Sequence, residues 1–561
     1  VVRRIPPKRG GRTAYSQISV INPGKGLNNK VSDNLIDDRE ASSLENIQYV
    51  ESGAPAKAYG FTAVSTGISN NPRGLGFFND DITGNRYLLT VDGTTLKYLS
   101  GTSWTSISGA SFSSTATDKI NFVQARGAMY IFDGVNSIAK LTTGLTLTRS
   151  GRSPKAKFGI YFNGRMFVAG TDAQPNRLYI SKTTDASEFT VAIGSATRPQ
   201  PDNTNDEDSG TPNVPGATSF STDTPSTANA NIADVNKFDG DKITGLAKFQ
   251  DVLIIFKERA IYQLSYSGTS TDPTISLVTK DYGCVSHKSI ENVDNDVFFL
   301  TRNGIYVLGN EPNFFNTIRT KELSVRVHPE IETINPTNYR SATGFFDGTN
   351  YYLGIPQGGV TANSATLVYN KEFLAWSKYT HVTPESLCSF IDSTNTEYVY
   401  FTDANSANVY RFTTNYDANG SAISAQWTSK AYDLGNYNVY KRWIDVTILF
   451  RQLVGTVTIT IITDNGTIAK TAAVSASSVG GLATNILGGG DKLGGTPTAG
   501  STGTGTSSTN IPYRLRLGIK SRNIKIKISN GRVNETFVVL GVAFRYRTYS
   551  AFTWPSALKI Q

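Results

Sequence analysis

The sequence predicts an all-β protein: a β-propeller of about seven blades with an appended antiparallel β-sandwich and an extended N-terminal arm. Three observations predict it. Helical periodicity is nearly absent along the chain. Short β-rich runs recur around Gly, Asn or Asp turns at a spacing of about 40–50 residues, with one larger gap. The composition suits strands and tight turns, with 51 Gly and 11% aromatic residues against 18% charged residues in 561. That balance is foreign to helical bundles and coiled coils.

The elements follow in chain order. Residues 1–60 read as a basic N-terminal arm and one short helix. The helix is expected over Asp37–Ile47, because Asp37, Asp38 and Glu40 would sit in its positive first turn and Leu44 and Ile47 are spaced i, i+3. A second short helix is expected near Lys321 to Val327.

Residues 61–420 read as the propeller. Its hairpins are Arg86–Leu99, Ala128–Leu141, Gly164–Ser181, Asp251–Leu264, Asp296–Leu308, Asp347–Tyr369 and Glu397–Phe412. Asp-Gly and Asn-Gly pairs supply the positive φ that such turns need. A lone hairpin cannot bury both of its faces, so the units must stack about an axis. The larger gap holds a low-complexity insertion over 199–235 with almost no apolar content, expected as an exposed loop. Its acidic cluster, Asp206, Glu207 and Asp208, lacks the ligand spacing of a calcium loop and reads as solvated.

Residues 421–561 read as the sandwich. Strands are expected at Ala425–Tyr432, Lys441–Phe450, Gly455–Asp464, Tyr513–Leu517, Asn523–Ile528 and Phe537–Tyr546, with a Gly-rich loop over 474–510. Val457, Ile459 and Ile461 share one face of their strand, as do Ile524, Ile526 and Ile528.

The chemistry-bearing residues are few. Cys284 and Cys388 are too far apart in sequence, and too few, for a disulfide framework or a zinc site. His287, His328 and His381 have no second ligand at zinc spacing, and HExxH, P-loop and GxSxG motifs are absent. Asp92, Asp133 and Asp347 sit in turns, where backbone geometry explains them better than a paired-carboxylate glycosidase site. No enzyme activity, cofactor or metal is expected. The N-terminus carries no secretory pattern, and no run approaches the ~18 apolar residues of a membrane helix. The net charge of +9 is modest for the length. Its one cluster is the arm, where Arg3, Arg4, Lys8, Arg9 and Arg12 surround Pro6-Pro7 and Gly10-Gly11. Such an arm suits contact with a neighbouring subunit or with DNA phosphates.

A resemblance adds to this reading. Gly26-Leu27, Leu35 to Ala41, Leu44 to Ile47, Gly53 and Gly60 together resemble the opening of bacteriophage tail hub or nozzle proteins of the tail tubular protein B type. Arg177–Ser181, Tyr282–Ser286 before Asp296–Leu308, and Tyr432–Gly435 before Lys441-Arg442 follow in the order of that family. The insertion and the Gly-rich loop depart from its pattern. The resemblance implies a virion protein of short-tailed phages, made in the host cytoplasm. It implies a homo-oligomeric ring, a hexamer, around the DNA ejection channel, touching adaptor and fibre proteins. Two other readings stand beside it. One is a receptor- or glycan-binding tail protein exposing Trp104 and Trp376; the other is a propeller glycosidase.

Overall fold

The structure is a computed structural model that describes residues 3–5, 15–64, 67–114, 119–150, 153–183, 185–189, 191–193, 196–198, 231–236, 239–266, 274–310, 318–392, 394–403, 406–475 and 510–548. The chain forms two compact units. One comprises residues 62–368 and 382–412; the other comprises 1–61, 369–381 and 413–561.

The first unit is a seven-bladed β-propeller. Blades one to five are four-stranded antiparallel sheets that begin with Pro72–Asn79, Asn121–Ala125, Phe158–Phe162, Ile243–Phe249 and Glu291–Val293. Blade six begins with Thr343–Phe346 and continues through Asn350–Ile355 and Ala365–Asn370. Blade seven runs through Pro384–Ile391, Glu397–Asp403 and Val409–Phe412. Each first strand packs beside the first strand of the next blade, and that of blade seven packs beside that of blade one, so the circle closes. Closure is reinforced by chain exchange. The strand Phe61–Ala63, from before blade one, joins the outer edge of blade seven, and the Val64 amide donates to the Val409 carbonyl at 3.0 Å.

Burial explains the stacking. Each sheet is apolar on both faces, and each core is shared between neighbouring blades. Phe167 and Leu178 of blade three pack with Leu253 and Ile255 of blade four. Leu75, Leu88 and Trp104 of blade one pack with Phe390, Tyr400 and Val409 of blade seven. Burying a large apolar side chain contributes roughly 1.5–3 kcal/mol, so a blade without neighbours would forfeit most of its stability.

Every hairpin read from the sequence forms the two middle strands of one blade. The expected insertion over 199–235 is shorter than its sequence limits. Asn231–Asp234 is the outer strand of blade three, held by the Arg177–Asp234 ion pair at 2.7 Å, with both side chains 4% exposed. The period-two signal there is only four residues long, too short to stand out against its low-complexity neighbour. The core of the expected loop lies outside the described residues.

The second unit is a β-sandwich. One sheet has the order Arg3–Ile5, Ser16–Ile21, Thr536–Thr548, Lys441–Val454, Ile511–Ser521, with Ile47–Val50 and Ala54–Lys57 joined beside Thr536–Thr548. The other has the order Ala41–Glu45, Ala425–Ser429, Ile524–Asn530, Thr456–Thr463, Thr467–Ser475. Trp443, Val446, Ile448, Phe450, Val542 and Phe544 of the first sheet are buried, as are Val457, Ile459, Ile461, Ile524, Ile526 and Ile528 of the second. All six strands expected over 421–561 are present. The strand Thr467–Ser475 was not expected, because its Thr-Ile-Ala-Lys-Thr-Ala-Ala-Val-Ser run has only two β-branched apolar residues, Ile468 and Val474.

The expected helix over Asp37–Ile47 is absent. Residues Ala41–Glu45 are a strand paired with Ala425–Ser429, Leu44 lying opposite Trp427. The Glu40 carboxylate does not charge a helix end; it accepts from the Asp37 amide at 2.9 Å and from Asn28 Nδ2 at 2.8 Å. The i, i+3 spacing of Leu44 and Ile47 has a different cause. Asn46 has φ 54°, which breaks the strand and rotates Ile47 back to the buried side. Its side chain secures the break, accepting from the Thr380 amide and donating to the Ser424 carbonyl. The second expected helix starts later in the chain. Ile318–Glu322 is a strand, and the helical turns are Val325–Val327 and His328–Glu332. Residues 15–57 therefore give the sandwich four strands, Ser16–Ile21, Ala41–Glu45, Ile47–Val50 and Ala54–Lys57, and no α-helix.

Two of the resemblance's glycines have a physical reason here. Gly26 has φ 90°, and a Cβ there would strike the backbone of Ala375 and Trp376. A Cβ on Gly60 would fall on the Asp417 carbonyl.

Candidate nucleic-acid interface

The sandwich's seven-stranded sheet has an unusual charge balance. Its strands contain eleven Lys or Arg residues and a single acidic residue, Asp445. The strand pattern collects many of these on the solvent face. Arg514 and Arg516 alternate with Leu515 and Leu517, and Arg545 and Arg547 alternate with Phe544 and Tyr546. Period two then puts the arginines on the side away from the core.

Register aligns them across strands. Arg442 lies opposite both Lys520 and Arg547, so three cations form one row across three strands. Asp445 lies opposite Arg516 and Arg545 in the next row. Directly opposed like charges destabilise a sheet by up to about 1 kcal/mol per pair. A row that breaks a local rule in this way points to function rather than to folding.

The side chains are held in place. Asp445, nearly buried, accepts from Arg514 at 2.5 Å and also from Arg545. Arg547 and Arg545 lie 4.3 and 5.2 Å from the centre of the Tyr15 ring. Arg522 and Lys520 lie 4.9 and 5.2 Å from the Tyr440 ring. One carboxylate cannot neutralise so many cations, and the tyrosines hold the guanidiniums without cancelling their charge. The face can therefore take a polyanion across its surface, through phosphate contacts that carry no sequence information.

Arg3 and Arg4 lie in the edge strand of this same sheet, in register with Ser19 and Ile18. Lys8, Arg9 and Arg12 lie outside the described residues, as do Asp206, Glu207 and Asp208. The basic face itself was not recognised from the sequence. The Arg-x-Arg alternation in two strands was a visible signal, but nothing local says that these strands share a sheet.

The remaining candidates are structural in their contacts. Burial pushes the Cys284 and Cys388 thiols up to about 12. His287 stacks on Phe158, and burial lowers it to about 3. His328 lies 3.7 Å from Glu322, and His381 Nδ1 contacts Asn46 Oδ1 at 2.7 Å. Asp133 and Asp347 accept backbone amides of their own turns, from Asn136 and Asn350, whereas Asp92 accepts the amides of Ser69 and Asn70, ahead of the blade's first strand, and pairs with Lys97 at 2.6 Å. Trp104 and Trp376 are 6% and 2% exposed, so neither forms the aromatic surface that glycan binding would use. Among the described residues, no group of three or more His, Cys, Asp or Glu side chains could hold a metal ion. No described helix is long and apolar enough to cross a membrane.

No family model matches the sequence, and no curated protein matches it. Among solved structures, the chain is similar to the Neurospora crassa Pan2 WD40 domain, at 10% identity and a TM-score of 0.32, over 65% of this chain and 97% of that one. It is similar to the WD40 domain of SCAP from fission yeast, at 10% identity and a TM-score of 0.29, over 61% of this chain and 84% of that one. It is also similar to Chaetomium thermophilum Raptor, at 9% identity and a TM-score of 0.35, over 64% of this chain and 29% of the length of that one.

Proposed function

We propose that this chain is a structural subunit of a bacteriophage tail, which assembles with copies of itself into a ring around the path of the genomic DNA. The observation that carries the reading is the basic sheet face of the sandwich, with its row of Arg442, Lys520 and Arg547. Duplex DNA offers a regular line of phosphates, and cations on a flat sheet can meet them without reading bases. Such contacts let DNA slide, which an ejection channel requires. A stacked circle of blades suits the same role, since it is a rigid block that can be arrayed about a symmetry axis. The order of sequence motifs shared with tail hub and nozzle proteins supports the same assignment, including the site in the virion and contacts with adaptor and fibre proteins. On this reading the chain does no chemistry, and its N-terminal strand extends the basic sheet.

The test is assembly. Mass photometry and negative-stain images of the purified chain should show closed rings, with six subunits as the expected count. Mass spectrometry of purified virions should find the chain in stoichiometric amounts. A chain that stays monomeric at tens of micromolar and is missing from virions would refute the proposal.

A further inference from the structure

The propeller carries a second concentration of cations, unrelated to the sheet face. Five consecutive blades, the second to the sixth, each place one within three residues of the start of the first strand: Lys119, Lys157, Lys242, Lys288 and Arg340. The repeat brings all five to the wall of one cavity of about 350 Å³. Phe158 and His287, stacked at 4.5 Å between ring centres, form part of the same wall.

The cations outnumber their partners. Lys119 pairs with Glu385 at 2.8 Å, and Lys157 pairs with Asp172 at 2.7 Å. Glu258 serves both Lys242 at 3.0 Å and Arg340 at 3.8 Å. Lys288 has no ion pair among the described residues, and its Nζ donates to the Ile120 carbonyl at 2.5 Å. Glu291, the carboxyl next to it in the fold, is pushed up to about 8 by burial, against the opposing charge of Lys288. Among the described residues, three ion-paired carboxylates thus face five basic side chains around one cavity. Burial, with the nearby charge of Lys119, lowers Lys288 to about 7. Uncompensated charge in such a place is unfavourable and persists where something else offsets it.

The geometry points to a binding site in this cavity for a small phosphorylated compound. The volume lies at the lower end of small-molecule sites and exceeds what one phosphate fills. Lys and Arg converging from separate blades are the donors that phosphate oxygens use. The inference rests on the propeller alone and stands or falls apart from the tail reading.

Isothermal titration calorimetry of the full chain with pyrophosphate, and separately with ATP, tests it. One equivalent should bind at physiological ionic strength. The Lys157→Gln, Lys242→Gln variant should weaken binding at least tenfold. That variant should keep its fold, because Asp172 is 81% exposed and Glu258 keeps Arg340 and Arg302. Should it melt early, Lys288→Met replaces it in the same titration, with the same tenfold loss expected. An Arg514→Gln, Arg516→Gln variant should bind pyrophosphate within twofold of the parent, which separates this site from the sheet face. No saturable heat up to 10 mM of either compound would overturn the inference. So would equal affinity in the parent and the cavity variant.

Discussion

Arg514 and Arg516 are the cleanest place to perturb the basic sheet. Both are exposed, and neither holds the fold alone, because Asp445 keeps Arg545 when Arg514 is removed. Replacing both with Gln should change stability by less than about 0.5 kcal/mol per site. The effect on DNA should be large and of a defined kind. Six cations, Arg442, Arg514, Arg516, Lys520, Arg545 and Arg547, share the face, and Asp445 neutralises the equivalent of one. About five phosphate contacts give a slope of about −4.5 in log affinity against log salt, at about −0.9 per contact. Raising salt from 50 to 200 mM should then weaken duplex binding about 500-fold in the parent. With about three contacts left, the double variant should lose only about 40-fold over the same range. Fluorescence anisotropy on two duplexes of about 30 base pairs and unrelated sequence measures both slopes, which should not differ between the sequences. An unchanged slope in the variant, or a parent slope shallower than about −1, would refute the assignment of this face to phosphate.

Three further predictions concern the fold. Gly60→Ala should destabilise the sandwich by about 1–3 kcal/mol, because the added Cβ meets the Asp417 carbonyl; an unchanged calorimetric midpoint would contradict the close approach. His287 is lowered to about 3 by burial, so between pH 6.5 and 3 the unfolded chain binds a proton that the folded chain refuses. Stability should therefore fall as pH drops from 7 to 5, and His287→Gln should lose less of its urea midpoint over that interval than the parent. Cys284, fully buried, should resist iodoacetamide at pH 8 until the chain unfolds, since burial raises its thiol to about 12; rapid labelling of Cys284 in the native protein, read by mass spectrometry, would count against that burial.

Much of the propeller was legible because its signals are local. Asp92-Gly93 and Asp133-Gly134 place positive φ where a hairpin turns, and the flanking runs alternate or stay apolar within a few residues. No long-range knowledge is needed to see such a unit, only its repetition. The sandwich strands were legible for the same reason, as in Ile524, Ile526 and Ile528. The misread helix shows the limit. Acidic residues ahead of an i, i+3 apolar pair fit a helix start, and only the distant partner Ala425–Ser429 makes the segment a strand. Local propensity is weak enough for one such pairing to override it.

By itself the sequence determined the all-β class, the repeating hairpins, their approximate number and which side chains of each strand turn inward. These follow from turn chemistry and from the period of the pleat, which act over a few residues. The tertiary structure alone decided that residues 16–57 enter the C-terminal sandwich and that Phe61–Ala63 closes the circle of blades. It also decided which cations meet: Arg442 with Lys520 and Arg547 on the sheet, and Lys119 with Lys157, Lys242, Lys288 and Arg340 around the cavity. Strand register and blade order set those meetings, and both depend on contacts between residues far apart in the chain, where no local pattern reaches.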